Sequence, residues 1–292
     1  MAGSFGIGDY TKEGPGIEKN APKKKTFFVF FETFFRNFWK FTGINAVYSI
    51  LSMLIVTGGL ANAGFTHVAR NTARDKHSFG LSDFFETIKK NWKQALSVGI
   101  INIFVFTLTG LGVVFYGFLL KQTVLTTIGL GICFAVIFCF LIMNFYIWTL
   151  MITFNFSLKQ LFVNSFKFVF INMKNNLLCG LCLLLVYALY VCFYFIFPRE
   201  YYLIFTLEFL IYFISFPGFK FLLIQYFTFP AIRKYIIDPY YREHPDADIQ
   251  LRLDLGLEID EEESEAEEDE KIESDEIDSE DEIENKEQEN DG

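Results

Sequence analysis

Three long stretches of this chain carry no charged residue: 95–120, 122–158 and 175–198. A helix needs about 20 apolar residues to cross a bilayer core, and soluble core helices of that length keep a polar face. The chain therefore reads as an integral membrane protein. An apolar content of 52% over 292 residues would by itself also suit a soluble domain; the clustering excludes it.

The net charge of −10 averages two unlike pieces. From Glu258 to Gly292 there are 21 acidic residues against 2 lysines, which leaves the rest of the chain basic. The predicted organisation is a polar arm over 1–25, a helical membrane domain over 26–245, and an acidic tail over 246–292. The tail is too polar to bury a core. The basic residues outside it are matched to lipid headgroups; nothing in their pattern points to nucleic acid.

The phrase Phe-Phe-Glu-Thr occurs at 30–33 and again at 84–87, each time just before an apolar run. In the first, Glu32, Arg36 and Lys40 fall on one helical stripe within an otherwise aromatic stretch. In the second, Leu81, Phe84, Phe85, Ile88, Trp92 and Ala95 recur at helical spacing, with Asp83, Glu86, Lys89, Lys90 and Lys93 opposite. A weaker third copy has Leu158, Leu161, Phe162, Phe166 and Val169 with Lys159, Lys167 and Lys174. The implied unit is an amphipathic helix in the membrane interface followed by a helix that enters the bilayer. Trp39, Phe85 and Trp92 are its interfacial anchors.

Basic residues cluster in 64–94, in 159–174 and after Arg233; the other two connections hold only Lys121 and Arg199. The richer set is assigned to the cytoplasm, where an anionic inner leaflet attracts it. With the helix at 26–41 and the loop at 64–94 on one face, a single crossing between them is impossible. Residues 42–73 then form a re-entrant hairpin turning at Thr57, Gly58 and Gly59, where glycine accepts positive φ; the alternative is an N-terminus outside. Ala61-Asn62-Ala63 resembles a cleavage site, but the region before its apolar run exceeds forty residues, too long for a leader's n-region.

The segment 201–229 holds Glu208 and Lys220 and is broken at Pro217-Gly218. Ionisable groups at membrane depth are candidate functional residues, although Glu208 is also close enough to Tyr201 to face headgroups. Asn102, Asn144 and Asn155 are read as polar contacts between helices. The five cysteines, including Cys179 and Cys182, lie in apolar runs and act as small packing residues. The three histidines form no metal-ligand spacing, and no nucleophile elbow or phosphate loop is present. No cofactor, metal or catalytic residue is expected.

The stretch GPGIEKNAPKKKTFFVFFETFFRNFWKF, the later SDFFETIKKNWKQAL and the ending IRKYIIDPYY together resemble the YesL-like bacterial membrane proteins over residues 14–245. Where those proteins show a Thr-x-Gly-Pro-Ala-like turn, this chain has Thr57 and Gly59 but Leu60 in place of proline. The resemblance implies an all-α polytopic protein of the bacterial inner membrane. It also implies a non-enzymatic accessory or scaffold role in carbohydrate uptake, beside carbohydrate ABC transporter subunits. The residues leave a small transporter or channel using Glu208 and Lys220 as the alternative. A membrane enzyme stands third, for want of a motif. About four or five membrane-embedded segments are expected.

Overall fold

The computed structural model describes residues 26–76 and 78–244. The polar arm 1–25, His77 and the acidic tail 246–292 lie outside the described residues. The described chain is all-helical. Its helices are α1 (Thr26–Arg36), α2 (Phe38–Met53), α3 (Gly58–Ala73), α4 (Leu81–Val114), α5 (Val124–Thr153), α6 (Leu158–Ile171), α7 (Met173–Ile196), α8 (Tyr201–Ile214), α9 (Phe216–Ile232) and α10 (Asp238–Glu243). Single π turns extend α4 and join α9 to α10.

Local chemistry sets several of these limits. Thr123 with Thr126, and Ser157 with Gln160, form capping boxes that start α5 and α6 by satisfying orphan amides at the N-terminus. Pro217 sits in the first turn of α9, where a missing N–H costs nothing.

Three helices are long and apolar enough to cross a bilayer: α4 with its π turn, α5 and α7. The pair α8–α9, bent by 51°, makes a fourth if counted as one span. Only 11% of the most apolar stretch of each of the three is buried within the protein. Side chains such as Phe104, Leu108, Ile132 and Leu184 point outward instead. In water that surface would be a large unmet cost; in hydrocarbon it is solvated. The chain is a multi-pass membrane protein.

The second Phe-Phe-Glu-Thr copy departs from the expected unit. It is not a separate helix laid on the interface. It is the first part of α4, which with its π turn runs unbroken over 38 residues from Leu81 to Phe118, a length of about 57 Å. The first and third copies do break, at Asn37 between α1 and α2 and at Asn172 between α6 and α7. In the first two copies an asparagine four residues on donates to the threonine carbonyl: Asn37 Nδ2 to Thr33 O at 2.9 Å, Asn91 Nδ2 to Thr87 O at 3.1 Å.

Helices α2 and α3, 16 residues each, form an antiparallel hairpin. Its turn lies at Leu54–Thr57, one step earlier than the sequence suggests. Thr57 Oγ1 closes it by donating to the carbonyls of Leu51 and Leu54. Gly58 is right-handed helical (φ −56°, ψ −34°), so the positive φ expected there is not used. The glycines serve packing instead. A Cβ on Gly59 would stand 2.5 Å from the Ala95 carbonyl oxygen and 3.0 Å from Gly99 Cα. The close approach of α3 to α4 therefore depends on two facing glycines.

Both ends of the hairpin meet at one end of the bundle. Arg36 pairs with Asp75, and Lys40 Nζ donates to Thr72 Oγ1 at 3.1 Å. Arg70 Nη1 reaches Thr153 Oγ1 at 2.8 Å, and the Arg74 guanidinium lies 4.9 Å from the centre of the Phe229 ring. Nearby, burial and then the charge of Arg70 push the His67 imidazole down to about 4 against the pull of Asp83. Neutral at pH 7, its Nε2 accepts from Asn71 Nδ2 at 3.0 Å.

Candidate functional site

The bend between α8 and α9 frees backbone groups inside the protein. Asn45 of α2 satisfies two of them. Its Nδ2 donates to Ile214 O at 2.6 Å, and its Oδ1 accepts from Gly218 N at 2.8 Å. Asn45 is fully buried, and a Cβ on Gly218 would meet the Phe41 side chain at 2.9 Å. This staple fixes the start of α9, and with it the direction of Lys220 one turn later.

Lys220 lines a cavity of about 620 Å³ enclosed by α3, α4, α5, α7 and α9. Helical spacing aligns the lining. Asn62 and Thr66 come from α3, Phe106 from α4, and Leu141, Asn144, Phe145 and Trp148 from α5. Asn176, Gly180, Leu184 and Tyr187 come from α7, and Lys220, Phe221, Ile224 and Gln225 from α9.

The walls are mainly apolar, with a few polar groups converging on them. Lys220 Nζ donates to Tyr48 OH at 3.4 Å, and Tyr48 OH donates to Asn62 Oδ1 at 3.0 Å. The Lys220 ammonium also lies 4.5 Å from the Phe221 ring centre and 5.6 Å from that of Tyr48. Lys220 is half-buried. No carboxylate pairs with it among the described residues.

Two amide networks border the site. Asn102 and Asn144 exchange hydrogen bonds at 2.7 and 3.1 Å between α4 and α5, as their placement in apolar runs suggests. On another side, Tyr146 OH donates to Asn176 Oδ1 at 2.6 Å and accepts from Asn172 Nδ2 at 2.8 Å. Gln225 Nε2 donates to Thr149 Oγ1 at 2.9 Å, while its Oε1 has no hydrogen-bond partner among the described residues.

Glu208 is elsewhere. It lines a second cavity of about 270 Å³ with Tyr190, Tyr194 and Tyr212, and one carboxylate oxygen, Oε1, has no hydrogen-bond partner among the described residues. Tyr187 stands in the wall of both cavities. The two ionisable residues singled out by the sequence thus line different cavities that share the Tyr187 wall. Trp39, Phe85 and Trp92 are 83%, 51% and 50% exposed, on the outside of the protein. All five cysteines are free thiols, and among the described residues no group of three or more potential metal ligands forms.

Residues 43–113 match a family described as "Protein of unknown function, DUF624". The match takes in most of α2, all of α3 and nearly all of α4, which is less than half of the chain. No curated protein and no solved structure matches the chain. The DUF624 stretch contributes Asn62, Thr66 and Phe106 to the lining and Tyr48 as the partner of Lys220; Lys220 and the walls from α5 and α7 lie outside it.

Sequence reasoning singled out Lys220 but missed Asn45, Tyr48 and Gln225. Each is one polar residue in an apolar setting, and the only available signal was that such residues need partners.

Proposed function

We propose that this is a non-enzymatic membrane protein that binds a small ligand in its central cavity, as one station of a substrate path of its own. One observation carries this reading. A cavity of about 620 Å³ in the helical body has a lysine ammonium with no carboxylate partner among the described residues, and several amides converging on apolar walls. Binding sites are commonly of this size and composition, and unpaired charge at membrane depth is rarely kept without use.

Gly180 offers a direct test, because it lines the cavity and a Cβ there would meet nothing within 4 Å. Gly180→Phe should fill the site without disturbing the helices. Purified wild-type protein, analysed by native mass spectrometry, is expected to carry a bound small molecule that the variant lacks. Equal occupancy in both, or none in either, would argue against the reading.

A second reading is an accessory role in carbohydrate uptake beside ABC transporter subunits, acting from the bacterial inner membrane. The resemblance to YesL-like proteins supports it; the DUF624 match over 43–113 carries no function of its own. The exposed Trp39, Phe85 and Trp92 would then hold the protein at the anionic inner leaflet. Co-purification of permease subunits with the intact chain would favour this role; their absence would count against it.

A further inference from the structure

We infer that the central cavity takes an acyl-chain amphiphile with an anionic head group, admitted sideways from the bilayer between α5 and α7. This rests on the cavity being a ligand site and adds the chemistry of what fills it.

Charge gives the head group. The Lys220 ammonium has three N–H donors but, among the described residues, one hydrogen-bond acceptor, Tyr48 OH, at 3.4 Å. The faces of Phe221 and Tyr48 offset some of the cost of holding it away from water. Neither supplies the counter-charge that a buried cation needs. An anion beside Nζ would supply it.

The walls give the body of the ligand. Apart from Lys220, Tyr187 and a few amides and hydroxyls, the lining is Phe, Leu, Ile and Trp. A free sugar or inorganic phosphate would leave most of its polar atoms without partners there; a hydrocarbon chain would not.

The rim gives the route. Phe138 and Leu141 of α5 and Leu177, Leu181 and Leu184 of α7 line the cavity and are also 47–62% exposed, Leu184 the most. They lie along the apolar lengths of two spans, so the opening faces hydrocarbon rather than water. The anionic head could belong to a free fatty acid or to a membrane phospholipid. The shared feature is an anion on an acyl chain.

Trp148 lines the cavity and is buried, whereas the other two tryptophans, Trp39 and Trp92, are exposed. In a Trp39→Phe, Trp92→Phe background of the full chain in non-ionic detergent, Trp148 alone reports on the site. Dibromostearate should quench it saturably. Dibromostearyl alcohol, with the same chain and no charge, should bind at least about tenfold more weakly. Lys220→Met should remove that preference and Lys220→Arg should keep it.

If Gly180→Phe leaves quenching unchanged for every compound, the cavity is not the site and both readings fall. If the alcohol binds as tightly as the acid and both are blocked by Gly180→Phe, the binding site stands but the anionic head is refuted. In nanodiscs of zwitterionic lipid, quenching by brominated phosphatidic acid but not by dibromostearate would identify the bilayer as source. The reverse would identify free fatty acid. Either result supports the anionic amphiphile, and quenching by neither refutes it.

Discussion

Asn45 shows how much one side chain can carry inside a membrane protein. Away from water, a backbone amide or carbonyl without a partner costs several kcal/mol. Asn45 serves one of each, on opposite sides of the bend at Ser215. Asn45→Leu keeps the volume and abandons both. The expected loss is about 2–4 kcal/mol, seen as a clear fall in melting temperature in detergent. Asn45→Asp, which keeps an acceptor for Gly218 N but loses the donor, should also destabilise. A melting temperature unchanged in Asn45→Leu would mean the bend holds without the staple. At this scale the sequence is only half legible. Pro217-Gly218 announces the break, and the break announces that a partner is needed. Nothing near Asn45 says that it is the partner, because the link runs between residues about 170 positions apart.

At the level of elements, the hairpin α2–α3 separates two roles that glycine can play. The sequence reading places Gly58 and Gly59 at the turn for their backbone freedom. In the structure both are ordinary helical residues at the start of α3, and only Gly59 is pressed against a neighbour. Gly58→Ala is expected to be neutral or to stabilise by up to about 1 kcal/mol, since a Cβ there meets nothing within 4 Å and alanine is the better helix former. Gly59→Ala must push α3 away from the Ala95 carbonyl, and a loss of about 1–3 kcal/mol is expected. Thermal denaturation of the two single variants decides it; equal behaviour would remove the helix contact as the reason for the glycine. The three long spans α4, α5 and α7 are readable from uncharged runs alone. The turn was not, because Leu54, Ile55 and Val56 are apolar and carry no turn signature. The cavity was not readable either, since its walls come from five helices and no local pattern encodes their meeting.

For the whole molecule, the hairpin gives the chain's path through the bundle. It returns to the end of the bundle from which it leaves, and α4, α5, α7 and the bent α8–α9 pair then bring the chain back to that same end. The contacts among Arg36, Asp75, Arg70, Thr153, Arg74 and Phe229 gather there. Basic residues are more frequent at that end, which favours the cytoplasm. A cysteine at Ser4, in a background lacking the native cysteines, should therefore resist a membrane-impermeant maleimide in intact cells and react after permeabilisation. Labelling in intact cells would place the N-terminus outside and reject the return of the hairpin to its own face.

The Asn45 staple also has a meaning in time. Residues 214 and 218 leave the ribosome long after residue 45. At about 5–20 residues per second the interval is on the order of ten to thirty seconds. Through that interval the amide of Asn45 waits at membrane depth with its eventual partners not yet made. The hairpin must be sheltered by water, lipid headgroups or the insertion machinery until the last span arrives. Assembly of this protein is thus completed from its C-terminal part, and a chain interrupted before Ser215 would be left with an exposed polar flaw that quality control can recognise.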